Sequence, residues 1–336
     1  MGYRVALNFE DDVTRFIDVN DGEKVLDAAY RHKINLPMDC SDGVCGTCKC
    51  RCESGSYDLG DEYLEGALNS EDAAQGMVLT CQMILQSDCT IAVPMASSAC
   101  KVKPEPRDGE IIEVEQLSGS TIRLRLALVQ PIAFLAGQYV QLAIPGTTET
   151  RAYSFSTKPG DKIAGFLIRN VPGGRMSHWL CAQAKPGDKM SFTGPSGSFY
   201  LRPVERPILM LAGGTGLAPL LSMLEVLAQS GTAQAIQLIY GVTRDEDLVE
   251  TERLDELKTR LANFQWKSCI ADPASAHPYK GYVTDHLAGT AVEAGDCDVY
   301  LCGPPPMVEA VRQTFTARGF NPSRFLYEKF VVSVPA

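Results

Sequence analysis

The chain has 336 residues, 45% of them hydrophobic and 21% charged, which is too long for one ordinary core and predicts two or three domains. The net charge of −10, without a basic stripe, argues against nucleic acid as a partner. The most apolar stretch, residues 207–228, is interrupted by Gly213, Gly214, Gly216 and Pro219. It reads as a buried strand, a turn and a helix rather than a membrane span.

Charge is unevenly distributed. The first 98 residues hold 7 Lys/Arg against 17 Asp/Glu, residues 99–203 hold 13 against 8, and the remainder 11 against 16. An acidic head beside a basic middle suits electrostatic docking between redox modules, and it also keeps a protein soluble. No basic–apolar–small leader pattern opens the chain. Five of the twelve cysteines fall between positions 40 and 52. Together these features read as metal binding in a reducing cytoplasm rather than a disulfide framework.

In chain order, residues 3–9 and 13–19 alternate like paired strands around a Glu10-Asp11-Asp12 turn. Residues 23–33 have helical spacing, with Val25, Leu26 and Ala29 on one side. A Gly/Cys-rich loop follows from residue 40 to 52, and then apolar stretches at 77–85 and 89–95. This order describes a small α+β domain of the β-grasp kind over residues 1–98. Residues 96–107 read as polar linker, with the domain boundary itself placed at 99–106. Short strands then follow at 109–117, 121–128, 138–144, 152–156, 163–170 and 189–193, predicting an antiparallel barrel or sandwich over 107–203. From residue 204 to 336 strands and helices alternate: strands at 207–212, 235–240, 265–270 and 297–302, helices at 217–229, 250–262 and 305–318. That pattern predicts an α/β domain with a mostly parallel sheet.

Cys40, Cys45 and Cys48 fit C-x4-C-x2-C, and Cys81 follows after 32 intervening residues. This is the plant-type [2Fe–2S] spacing: a tight loop supplies three thiolates and a later strand the fourth. Gly43 and Gly46 are expected to let the backbone wrap the cluster. The competing reading is a structural zinc site, but only Cys45 and Cys48 have the C-x2-C knuckle spacing. Cys50, Cys52 and Cys89 read as strand or core residues. By itself this region resembles plant-type ferredoxins and describes an electron carrier.

Further on, Arg151-Ala152-Tyr153-Ser154 lies on a predicted strand, and Gly173-Gly174-Arg175-Met176-Ser177 opens a predicted helix. A glycine-bearing helix start with an arginine suits a pyrophosphate, and a tyrosine offers a ring to an isoalloxazine. The two motifs resemble the flavin domain of the ferredoxin–NADP reductase superfamily. The resemblance implies a six-stranded barrel, Arg151 on pyrophosphate with Ala152 beside it, Tyr153 on the flavin ring and Ser154 near its reactive edge. It also implies a flavin-lining strand at Ile168, Arg169 and Val171, and backbone pyrophosphate contacts from Gly174, Arg175, Met176 and Ser177. FAD rather than FMN is expected, because the ferredoxin domain comes first.

Gly213-Gly214-Thr215-Gly216 and Pro219 follow a strand and open a helix, matching the superfamily's pyridine-nucleotide motif though not G-x-G-x-x-G. Cys302-Gly303-Pro304, continuing to Met307, matches a second motif, and the resemblance places Cys302 beside the nicotinamide. A buried strand-end thiol is the plainer alternative. The strand ending at Tyr240-Gly241 is where the ribose is read. Arg244 suits a 2′-phosphate, but Asp245, Glu246 and Asp247 repel one, so NADH is the expected substrate. Glu328 and Phe330 correspond to the superfamily's C-terminal acid and aromatic residue near the flavin.

The order ferredoxin, flavin, nicotinamide resembles reductase components of bacterial multicomponent oxygenases, above all the electron-transfer components of benzoate 1,2-dioxygenase and its toluate and anthranilate relatives. This implies electron flow from NADH through FAD and [2Fe–2S] to a terminal oxygenase with Rieske and mononuclear iron. Reductases of di-iron phenol or methane monooxygenases share the layout. A carrier or redox sensor with a vestigial flavin site is the reading from another class.

Overall fold

The computed structural model describes residues 2–38, 41–44, 46–101 and 105–330. They form two compact units: one of residues 1–105 with 194–198, and one holding the rest.

In the first unit, β1 (Tyr3–Phe9) and β2 (Thr14–Val19) form the expected hairpin, with Asp12 at positive φ in its turn. Helix α1 (Val25–Arg31) follows, burying Val25, Leu26, Ala28 and Ala29. Then come β3 (Lys49–Ser54), β4 (Tyr57–Asp58), α2 (Ser70–Ala74), β5 (Met77–Leu79), β6 (Ile84–Leu85) and β7 (Cys89–Val93). The main sheet runs β2-β1-β7-β3-β5, with β1 and β7 parallel and the other pairs antiparallel. This mixed sheet around a helix is the β-grasp. The apolar stretch 77–85 breaks into β5 and β6, because the chain turns at residues 80–83.

The second unit opens with a barrel, of which only Glu105 and residues 194–196 are counted in the first unit: β8 (Glu105–Gln116), β9 (Thr121–Leu128), β10 (Tyr139–Ala143), β11 (Thr150–Ser154), β12 (Ile163–Arg169), helix α3 (Arg175–Ala182) and β13 (Lys189–Ser196). The order β11-β10-β13-β8-β9-β12 closes through a Phe155–Phe166 bridge, where the Ser156 N–H donates to the Gly165 carbonyl at 2.7 Å. Phe155 is fully buried and stacks on Phe134 with ring centroids 3.9 Å apart. Its burial contributes ~1.5–3 kcal/mol and anchors the strand carrying Tyr153 and Ser154. The segment expected to be linker is partly strand: β8 begins at Glu105, and alternate positions Gly109 and Ile111 turn inward. Pro106 is tolerated because it lies at the strand's beginning.

The unit continues with β14 (Ile208–Gly213), α4 (Leu217–Ser230), β15 (Ile236–Val242), α5 (Thr251–Arg260), β16 (Phe264–Ile270), β17 (Asp298–Gly303), α6 (Pro305–Arg318) and β18 (Arg324–Lys329). All five strands are parallel, in the order β16-β15-β14-β17-β18. The central strands β14 and β17 are buried along nearly their whole length, as covering both faces of a parallel sheet demands. Strand β18 was not among the expected elements. It extends the sheet beside β17 and carries Glu328 into register with Cys302. Among the described residues no helix is long and apolar enough to cross a membrane.

Candidate functional site

Of the four predicted cluster ligands, Cys40 and Cys45 lie outside the described residues. Cys48 and Cys81 are both buried, with sulfurs 3.2 Å apart, and the Gln82 amide donates to the Cys81 sulfur at 3.8 Å. The neighbouring Cys81 thiol, and then burial, push the Cys48 thiol far above its ordinary value. Two thiols forced together without solvent suit deprotonation by a metal, the usual coupling of metal loading to proton release. Gly43 and Gly46 have φ of +75° and +76°, and Cβ atoms there would lie 2.8 Å from the Glu62 carbonyl and 3.1 Å from the Ala67 carbonyl. They let the ligand loop lie on residues 62–67, where the Leu64 N–H donates to the Gly43 carbonyl. Cys50 and Cys89 are buried strand residues and Cys52 a partly buried one, as expected.

In the barrel, Arg151 and Tyr153 share one side of β11, and Tyr153 packs against the core with its phenol pushed up by burial. The Glu149 carboxylate bridges Arg151, at 2.8 Å, and Arg175 at the first turn of α3. An anion thus already sits between the two arginines at a helix N-terminus, a donor set suited to a diphosphate. Gly174 is the N-cap of α3. Ser177 is committed to the loop itself: its hydroxyl accepts the Val171 N–H at 2.9 Å and donates to the Arg169 carbonyl. Ile168 and Met176 point into the barrel core, so only their main chain is left for a ligand. Arg169 and Ala152 are exposed.

The nucleotide motifs meet at the carboxyl ends of β14 and β17. This is the topological switch point of the sheet, where open α/β folds bind ligands. Gly213 ends β14, and residues Gly214–Gly216 make one 3-10 turn into α4, with Thr215 and Pro219 buried. The second loop interlocks with the first. A Cβ on Gly216 would lie 2.2 Å from the Cys302 carbonyl oxygen, and one on Gly213 would lie 2.4 Å from the Met307 sulfur and 3.0 Å from Pro304 Cδ. Gly303 likewise leaves room for Met307, whose sulfur would be 2.7 Å from a Cβ there. Cys302 is fully buried and belongs to the sheet core. Burial pushes its thiol well up, and the Glu328 carboxylate adds to the shift.

Glu328 joins the two halves of the unit. The Ser154 hydroxyl, at the end of barrel strand β11, donates to its Oε2 at 3.2 Å. Ser154, Glu328 and Cys302 therefore converge from three strands, β11, β18 and β17. The Phe330 N–H donates to the Gly303 carbonyl at 2.9 Å, and its side chain packs partly buried on the nucleotide-domain core. Arg244 is two-thirds exposed, with the Glu246 carboxylate at 3.5 Å. The short apolar run Phe325-Leu326-Tyr327 was the available signal for β18, whose place beside β17 depends on long-range pairing.

The chain matches three family models in order: the 2Fe-2S iron-sulfur cluster binding domain over residues 8–86, the oxidoreductase FAD-binding domain over 108–200, and the oxidoreductase NAD-binding domain over 210–313. It is 54% identical over 335 residues to the toluate 1,2-dioxygenase electron transfer component of Pseudomonas putida, covering 99% of this chain and 100% of the relative. The 2-halobenzoate 1,2-dioxygenase electron transfer component of Burkholderia cepacia is 49% identical, with 99% of each chain covered. Among solved structures, the Amycolatopsis cytochrome P450 reductase GcoB is similar over 97% of this chain and 98% of its own, with a TM-score of 0.72 and 32% identity. With [2Fe–2S], FAD-binding and NAD-binding parts in this order, and relatives matched along their full length, the chain belongs to the family of electron transfer components of ring-hydroxylating 1,2-dioxygenases.

Proposed function

We propose that this chain is the NADH-dependent reductase component of a benzoate-type aromatic-ring dioxygenase, delivering electrons to a terminal oxygenase with Rieske and mononuclear iron. The observation that carries the reading is the contact of Ser154 with Glu328 beside Cys302, at the sheet's switch point. It brings the flavin motif and the nicotinamide motif to one place. The domains are assigned to residues 1–98, 107–203 and 204–336. Cys40, Cys45, Cys48 and Cys81 hold the [2Fe–2S] cluster. Arg151, Arg175 and the main chain from Gly174 to Ser177 hold the FAD diphosphate, displacing the Glu149 carboxylate. Tyr153 lies against the ring, with the main chain of Ile168, Arg169 and Val171 alongside. When bound, FAD converts two-electron hydride uptake into the single-electron steps a [2Fe–2S] cluster requires.

The residues supply binding, alignment and dryness. Gly213, Gly216 and Gly303 let the two loops interlock and so fix the backbone surface on which a dinucleotide lies. Ser154 and Glu328 hold a polar, proton-bearing pair at the reactive edge. Cys302 stays a neutral thiol under the nicotinamide position, so it lends bulk and polarisability rather than charge. Arg244, already facing Glu246 and followed in the chain by Asp245 and Asp247, favours a ribose 2′-hydroxyl over a 2′-phosphate, hence NADH.

Anaerobic titration with NADH tests the assignment. Bleaching of both the flavin and the cluster bands is expected. A chain holding both groups that NADH leaves unbleached would refute it and favour the carrier reading. Turnover with isolated benzoate, toluate and phenol oxygenase components then distinguishes the dioxygenase partner from a di-iron one.

A further inference from the structure

The hairpin between β8 and β9 touches both nucleotide-handling loops. On one side, the Asn170 N–H donates to the Ser120 carbonyl at 2.7 Å and its side-chain amide to the Gly119 carbonyl at 3.1 Å. Asn170 directly precedes the Val171–Ser177 turn assigned to the diphosphate. On the other side, the Ser120 hydroxyl donates to Asp247 Oδ1 at 2.5 Å. Asp247 belongs to the loop after β15, where the ribose-reading Arg244 sits. Three residues on, Glu250 takes two N–H bonds from Arg123 of β9, at 2.9 and 2.7 Å, with its carboxylate only 3% exposed. Arg253, one turn further, donates to the Ser156 carbonyl at 2.7 Å, just past Ser154.

The backbone carries a cost here. Glu250 has φ of +62°, a left-handed conformation that disfavours any residue but glycine. Such strain persists where the surroundings over-determine it. Here the surroundings are a buried carboxylate and a guanidinium from the opposite lobe. Helix α5 begins at the next residue, so the direction in which the ribose loop enters α5 is set by the barrel rather than by the nucleotide domain alone.

We propose that Ser120 and Glu250 are positioning residues, which hold the ribose loop at residues 243–250 in fixed register with the flavin strand. The nicotinamide then arrives at hydride-transfer distance from the flavin. This rests on the reductase reading above. Loss of either tie leaves a nucleotide that binds but sits askew, and misplacement by about 1 Å is enough to cost on the order of 10²-fold in rate.

The experiment compares Ser120→Ala, Ser120→Thr and Glu250→Gln with the parent holoprotein. It measures anaerobic stopped-flow hydride transfer at saturating NADH, the NADH Kd, the FAD content, and amide hydrogen exchange over residues 243–250. Ser120→Ala and Glu250→Gln are expected to slow hydride transfer at least tenfold, leave Kd and FAD content within twofold, and speed exchange in the loop. Ser120→Thr, which keeps the hydroxyl, is expected to restore the rate. Transfer within twofold of the parent in Ser120→Ala, unchanged exchange, or failure of Ser120→Thr to differ from Ser120→Ala would overturn the proposal. If Glu250→Gln does not fold, the Ser120 pair decides alone. A parent that NADH does not bleach removes the reductase reading itself, whereas a bleached parent with indifferent variants removes only this coupling.

Discussion

Gly216→Ala is the sharpest perturbation of the nucleotide loops. Gly216 has φ of −61°, which any residue adopts, so the substitution carries no backbone penalty of the left-handed kind. Its cost is steric. The new methyl would lie 2.2 Å from the Cys302 oxygen, 2.6 Å from its carbonyl carbon and 2.9 Å from the Gly303 nitrogen, all main-chain atoms of a buried strand end. Ordinary contact requires the two loops to part by about 1 Å. Overpacking of this kind costs ~1–3 kcal/mol of stability. The same displacement opens the surface on which a dinucleotide would lie, with a rate loss on the order of 10²-fold. Gly214→Ala is the contrasting case: φ there is +53° and nothing lies within 4 Å of the added methyl. That variant carries only the conformational cost of roughly 1 kcal/mol. Thermal unfolding and anaerobic stopped-flow reduction by NADH measure both quantities. Gly216→Ala should lose at least tenfold more in hydride transfer than Gly214→Ala. Equal losses, or a larger one in Gly214→Ala, would show that the interlock of the two loops does not govern nucleotide placement.

Other outcomes follow from the same geometry. Ser154→Ala removes the hydroxyl that meets Glu328; stability should fall by only ~0.5–1.5 kcal/mol, while reduction by NADH, followed by flavin absorbance, falls by at least tenfold. Cys81→Ser should abolish the cluster's visible absorption yet leave flavin bleaching by NADH intact, and loss of both would contradict separate cofactor sites. Glu246→Ala frees Arg244 from its carboxylate neighbour and should raise kcat/KM for NADPH several-fold with little change for NADH. In the first unit, Arg31 holds the Glu23 carboxyl down at about 2 from its ordinary 4.5. A lowered carboxylate pKa stabilises the fold above the unfolded value, and that contribution drains away as pH falls from about 4.5 toward 2. Arg31 faces solvent, so screening keeps the contribution small, and Glu23→Gln should flatten acid unfolding of the unit only in that window.

The motifs in chain order mark the three cofactor-handling parts, because each depends on residues close together in the chain. C-x4-C-x2-C, Arg-Ala-Tyr-Ser and Gly-Gly-Thr-Gly are local: a loop or a strand-to-helix turn builds each one, and spacing reports it. Periodicity also distinguished strand-rich from alternating segments, since it reflects which side of an element is buried. What could not be seen was everything made by long-range pairing. Strand β18 borders β17 only because the parallel sheet extends there, and Glu328 meets Cys302 only through that register. The glycines of the cluster loop also make room for residues 62–67, a neighbour the spacing does not name. Ile168 and Met176, inside a flavin-like motif, spend their side chains on the barrel core. The ties from Ser120 and Arg123 to Asp247 and Glu250 span 127 positions each. Local chemistry is written in neighbouring residues and was legible from sequence alone. The meeting of Ser154, Cys302 and Glu328 is decided by how sheet and barrel close, because only strand pairing sets Cys302 beside Glu328 and only the barrel brings the Ser154 hydroxyl within hydrogen-bonding reach of that carboxylate.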